Sequence, residues 1–162
     1  MGSLLPILTF IAALGSGLMA GSFFAFSATV MWALERQPPS AGISAMQAIN
    51  VVVLNPIFLG TFFGTAILSL VLDIVALVDW SAPGSGYLVA GSLLYFASTF
   101  LVTLLFNVPL NNKLAAVKPD SAEGKAMWAH YLRVWTAWNH VRTVAPLAAM
   151  VAFILAFSKM WS

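Results

Sequence analysis

Residues 136–146 read TAWNHVRTVAP and run directly into LAAMVAFILAFSKMW, residues 147–161. With the end of the first stretch, from Val141, the second makes a run to Trp161 long and apolar enough to be a membrane helix, which needs about 20 such residues to cross the hydrocarbon core. The first places Asn139, His140, Arg142 and Thr143 at the mouth of that helix. Polar and ionisable groups are expensive there, so a cluster of them is a functional candidate.

The rest of the chain fits a bilayer. Of 162 residues, 61% are hydrophobic and 7% are charged, against about 25% charged in soluble domains. The formal charge of +2 is spread thinly, and no basic run with interleaved aromatics suggests a nucleic-acid partner. There is no cysteine, which excludes disulfides, thiolate metal sites and CxxC redox chemistry. MGSLLPILTF has no basic region ahead of its long apolar run, so it reads as a retained membrane helix rather than a signal peptide.

Four segments are long enough to span, at about 4–34, 51–78, 87–108 and 141–161. Helices are the expected form, because an open strand leaves its backbone unpaired in lipid. The fold expected is therefore an all-α integral membrane four-helix bundle forming one domain, with membrane lipids as its surroundings. Each long connection is expected to carry a helix, capped by Ser40 in one and by an Asp120–Glu123 capping box in the other, either short and interfacial or extending the next membrane helix into the cytoplasm. The second connection, DWSAPGSG, is a tight turn. The long connections hold Arg36, Lys113, Lys118, Lys125 and Arg133, whereas the short one holds no Lys or Arg. The positive-inside rule puts the long connections in the cytoplasm and both termini outside.

Sliding the chain by 80 residues aligns Phe26 with Phe106, Leu34 with Leu114 and Pro39 with Pro119. Two tandem helix-pair repeats would give a pseudo-twofold axis along the membrane normal. After a four-residue insertion Asn55 aligns with Asn139, and the two are expected to face each other across that axis.

In the last helix Thr136, Asn139, His140 and Thr143 fall at i, i+3, i+4 and i+7, one helical face. Trp135, Trp138 and Arg142 form the adjoining stripe. The first face is expected to wall a pocket. Ala13, Gly17, Gly21 and Ala25 let helix backbones approach, as an internal seam or in a homo-oligomer. Neither His130 nor His140 has a second histidine at i+4, and no carboxylate cluster accompanies them, so neither a metal nor a haem site is expected.

GSFFAFSATVMWAL, AMQAINVVVLNPIF, FNVPLNNKLAAVKP and YLRVWTAWNHVRTVAP together resemble the anthrone oxygenase family, small four-helix membrane proteins with many bacterial members. The most specific pieces run from Asn107 to Asn111 and from Trp138 to Thr143. The resemblance implies a bacterial inner-membrane protein. It also implies an oxygenase that converts an anthrone-like aromatic to a quinone with O2, without metal or flavin. In that reading His140 is the base, and Asn139, Asn107 or Arg142 holds the oxyanion. Phe106, Trp135 and Trp138 stack on the flat substrate, while Asn55, Asn111, Thr136 and Thr143 complete its site. The competing expectation is a non-enzymatic membrane protein that binds or passes a small hydrophobic molecule, or supports a membrane complex.

Overall fold

A computed structural model describes residues 4–161. Five helices account for nearly all of them: α1 Leu4–Glu35, α2 Pro39–Val52, α3 Pro56–Val78, α4 Ser85–Ala115 and α5 Ala122–Lys159. All except α2 are long and apolar enough to cross a membrane. The chain is an all-α, integral membrane four-helix bundle. Large apolar side chains such as Ile11, Leu18, Ile67, Val144 and Ile154 are about half exposed or more. Lipid is the solvent that such a surface suits.

The element boundaries differ from the expected ones in three places. Residues 51–54 do not open the second span. Val51 and Val52 end α2, a short turn follows, and Asn55 caps α3 by accepting from the Ile57 and Phe58 amides at 3.1 and 3.0 Å. Asn-Pro suits this start, because Pro56 has no N–H to leave unpaired. Of the two forms expected for the helix before the fourth span, the extension is found: it is the first part of α5, which runs unbroken through 38 residues. At 1.5 Å per residue that is about 57 Å, well beyond the hydrocarbon core. Its cap is Ser121, whose Oγ accepts from the Gly124 amide at 2.9 Å. Asp120 precedes that cap and Gly124 takes the third helical position, so the expected capping box is replaced by a lone serine cap. Ser40 caps nothing either. It lies inside α2, which opens with Pro39 and has no side-chain cap.

Helix α2 lies across the end of the bundle that carries the two long connections. Ile43 and Met46 are buried there with Leu110, Leu114, Trp128, Tyr131 and Trp135. Gln47 Nε2 donates to the Leu114 and Val117 carbonyls at 2.8 and 3.1 Å. The Leu114 carbonyl also accepts from the Val117 amide, and the Val117 carbonyl lies just past the end of α4, where helix carbonyls lack helical partners. A second core, at mid-bundle and beyond, gathers Ala12, Met19, Phe23, Phe62, Leu72, Leu88, Tyr95 and Phe153.

Two glycines permit close approach. A Cβ on Gly15 would collide with Thr65 Oγ1, so α1 meets α3 nearly backbone to side chain. Gly84, at φ +91°, turns the chain between α3 and α4 against the Ala156 carbonyl. Of the small-residue stripe, Ala13 is buried and Gly17 meets Met150, while Gly21 and Ala25 remain exposed.

Candidate functional site

The two cores meet around a cavity of about 240 Å³. Phe23 and Phe26 of α1, Phe58, Phe62 and Phe63 of α3, and Trp135 of α5 supply aromatic wall. Polar groups enter from Asn50, Thr103, Asn111 and Arg142. Arg142 is the one charged side chain among the described residues that line it.

Arg142 is 5% exposed and its partners are neutral. One terminal nitrogen donates to Thr103 Oγ1 at 3.2 Å and the other to Asn139 Oδ1 at 2.9 Å. Its guanidinium carbon lies 4.4 Å from the Phe23 ring centroid and 5.1 Å from that of Trp135. Nε has no hydrogen-bond partner. Two aromatic faces offset part of the cost of burying this cation. Among the described residues no carboxylate pairs with it.

Asn139, fully buried, stands behind the guanidinium. While it accepts from Arg142, its Nδ2 donates to the Phe23 carbonyl and to Ser27 Oγ, each at 2.8 Å. Ser27 sits where α1 widens to i→i+5 hydrogen bonding, over Phe26–Val30, a local geometry frequent at functional sites. Three side chains converge on its oxygen: Asn139 Nδ2, Thr143 Oγ1 at 3.0 Å and His140 Nδ1 at 2.9 Å. Thr143 gives its own proton to the Asn139 carbonyl. Ser27 therefore donates to Thr143, and His140 donates from Nδ1 to Ser27, since a hydroxyl has one proton to give.

A second anchor lies on the other side of Trp135. Asn111 Oδ1 accepts from the Tyr131 hydroxyl at 2.7 Å and from Trp135 Nε1 at 2.8 Å. Trp128, Tyr131 and Trp135 stack in sequence, with centroids 5.7 and 5.5 Å apart. Buried Asn107 donates to the Trp135 carbonyl at 3.2 Å. The ring and backbone of Trp135 are thus both held.

The residues singled out from the sequence therefore separate. Trp135, Asn111 and Arg142 line the cavity, and Asn139 and Asn107 brace them from behind. Asn55 is exposed and does not face Asn139, because it caps a helix that the second half of the chain does not break. Phe106 and Trp138 stack on each other, centroids 3.8 Å apart, away from the cavity. Thr136 and His140 line a different space, a groove of about 320 Å³ between α1 and α5 shared with Trp32, Glu35 and Arg133. Thr143 is occupied by Ser27. The face expected to wall the pocket, Thr136–Asn139–His140–Thr143, turns mostly away from it. The inward face is Trp135–Asn139–Arg142.

Sequence reasoning passed over Ser27, Tyr131 and Phe23. Tyr131 had a signal, one turn before Trp135 in the same buried repeat. Ser27 had none, because its position depends on the widened turn.

Fold and cavity together define a small integral membrane protein with an aromatic-walled cavity that opens to the bundle surface past Leu54, Phe63 and Leu104. Residues 51–152, well over half the chain, match the anthrone oxygenase family. The chain belongs to that family. No curated protein and no solved structure matches it.

Proposed function

We propose that this protein is a membrane-embedded, cofactor-independent oxygenase that oxidises an anthrone-like aromatic to a quinone with O2. The observation that carries the reading is the cavity itself. Its phenylalanine and tryptophan walls suit a flat ring, and one buried cation stands at the edge where a ring oxygen would lie.

The reaction balances as one ring methylene plus one O2 giving one ring ketone plus one water. Loss of a proton from the central methylene gives an anion whose charge rests on the ring-ketone oxygen. The anion passes one electron to O2, and the resulting pair combines into a peroxide at the former methylene carbon. The protonated peroxide then loses water, taking the second hydrogen of that carbon. Arg142 holds the oxyanion, an interaction that strengthens as charge develops. Thr103 and Asn139 fix the guanidinium, and Asn111 fixes Trp135 against the ring. The bundle end carrying the long connections is cytoplasmic in this reading, following its basic residues, and the membrane is a bacterial inner membrane.

One observation favours a second reading. No Asp, Glu or His is among the described residues lining the cavity, which suits a protein that binds a hydrophobic aromatic without transforming it. Oxygen uptake by the purified protein with a simple anthrone separates the two. A rate above the uncatalysed one, with one quinone formed per O2, supports the oxygenase. Affinity without turnover rejects it.

A further inference from the structure

The cavity presents a cation without a counter-charge and no side chain suited to take a proton from carbon. These two facts have one solution. We infer that the site takes its aromatic ligand as a preformed oxyanion, the enolate or phenolate, whose proton has already passed to solvent water or buffer. The inference rests on the cavity being the substrate site, and it assigns the substrate class as acidic aromatics with an ionisable ring oxygen.

The geometry supports a resting demand for negative charge rather than a purely structural arginine. Every partner of Arg142 is neutral, and its hydrogen bonds to Thr103 and Asn139 use two of its five N–H groups. The groups around it are the Phe23 ring from α1, Phe58 and Phe62 from α3, Asn50 from α2, Thr103 from α4, and Asn139 and Trp135 from α5. The titratable group that bears on it is the Tyr131 hydroxyl, which donates its proton to Asn111. Asn50 adds a second donor. Its buried amide nitrogen has no hydrogen-bond partner. Arg142 Nε and Asn50 Nδ2 are thus buried donors without a partner on the polar side of the cavity, and a ligand that brings anionic oxygen completes it.

His140 cannot serve as a base inside the cavity as placed. Its Nδ1 is held by Ser27 and its ring lines the groove on the far side of Asn139. Binding the anion directly removes the need for such a base.

The test uses 2-naphthol, a flat phenol without the reactive methylene, titrated by absorbance with protein-loaded and empty lipid nanodiscs. Saturating wild-type protein should favour the naphtholate about tenfold to a hundredfold, the scale of a hydrogen bond to a charged group. Its titration then moves down by about one to two pH units relative to empty nanodiscs. Arg142→Gln should abolish the shift and Arg142→Lys should keep part of it. Should Arg142→Gln not fold, Asn139→Asp supplies an internal carboxylate and should abolish the shift as well. Equal titration in loaded and empty nanodiscs, or a shift unchanged in either neutralising variant, overturns the inference. Because naphthol binding needs no turnover, the result is separate from oxygenase activity. A shift without oxygen uptake upholds the anion site and rejects the oxygenase. Oxygen uptake without a shift does the reverse.

Discussion

Asn139 accepts a hydrogen bond from Arg142 at 2.9 Å while its own amide nitrogen donates back to α1, to the Phe23 carbonyl and Ser27. One neutral side chain thus orients a buried cation and ties α5 to α1. A carboxylate at this position would neutralise Arg142, and the amide leaves it charged.

Two substitutions at that position should behave differently. Asn139→Ala strands a charged donor of Arg142 and cuts the bonds to the Phe23 carbonyl and Ser27, at a cost of about 2–4 kcal/mol. A lower unfolding temperature in detergent or nanodiscs reads that loss. Asn139→Asp exchanges the amide donor to the Phe23 carbonyl for a carboxylate oxygen and gains an ion pair with the guanidinium, so it should lower the unfolding temperature less than Asn139→Ala, yet slow anthrone-dependent oxygen uptake at least about tenfold, the loss of a charged hydrogen bond in the transition state. An Asn139→Asp protein as active as wild type would contradict the role given to Arg142.

His140→Ala should leave oxygen uptake within about twofold of wild type. The histidine is exposed to the α1–α5 groove, and its bond to Ser27 is one of three that Ser27 makes. Its removal should cost about 1 kcal/mol of stability, the usual net worth of one hydrogen bond. A fall in rate of about a hundredfold with unchanged stability, the scale of a lost general base, would show that His140 reaches the substrate after all.

Tyr131→Phe removes the 2.7 Å bond to Asn111 and leaves Trp135 as that oxygen's partner. Stability should fall by about 1–2 kcal/mol. KM for an aromatic substrate should rise more than kcat falls, because the ring wall loosens while Arg142 is untouched. Steady-state oxygen uptake over a substrate series reads the split.

Gly84→Ala should destabilise the turn between α3 and α4. The residue is left-handed, and a Cβ there would lie 2.8 Å from the Ala156 carbonyl oxygen. The left-handed conformation alone costs about 1–2 kcal/mol for a residue with a side chain. Thermal unfolding should register at least that much, with the cavity unchanged and the naphthol titration as in wild type.

Composition and run length made the four-helix membrane bundle legible, because an apolar segment that long has few other stable forms. Of the stretches resembling anthrone oxygenases, FNVPLNNKLAAVKP and YLRVWTAWNHVRTVAP fall within residues 51–152, the part that matches the family, AMQAINVVVLNPIF falls there in part, and GSFFAFSATVMWAL falls outside it. Helix phase was another matter. Around TAWNHVRTVAP the spacing reads as a Thr136–Asn139–His140–Thr143 face and a Trp135–Trp138–Arg142 stripe, yet Trp135–Asn139–Arg142 recurs at i, i+4 and i+7 just as Thr136–His140–Thr143 does. Periodicity alone accepts either as the inward face. The polar character of His140 favoured the first.

Packing decided for the second. Trp128, Tyr131, Trp135, Asn139 and Arg142 lie on one buried line of α5, and α5 is continuous with its long entry segment, so its phase is fixed by the tryptophan stack below. The widened turn at Phe26–Val30 then brings Ser27 to Asn139, His140 and Thr143, an arrangement that spacing within one helix cannot encode. The sequence by itself determined that this chain lives in a bilayer as a helical bundle, because the hydrophobic cost of any other solvent is prohibitive. The tertiary structure alone decided which polar groups share the cavity, because that depends on how each helix is rotated against its neighbours.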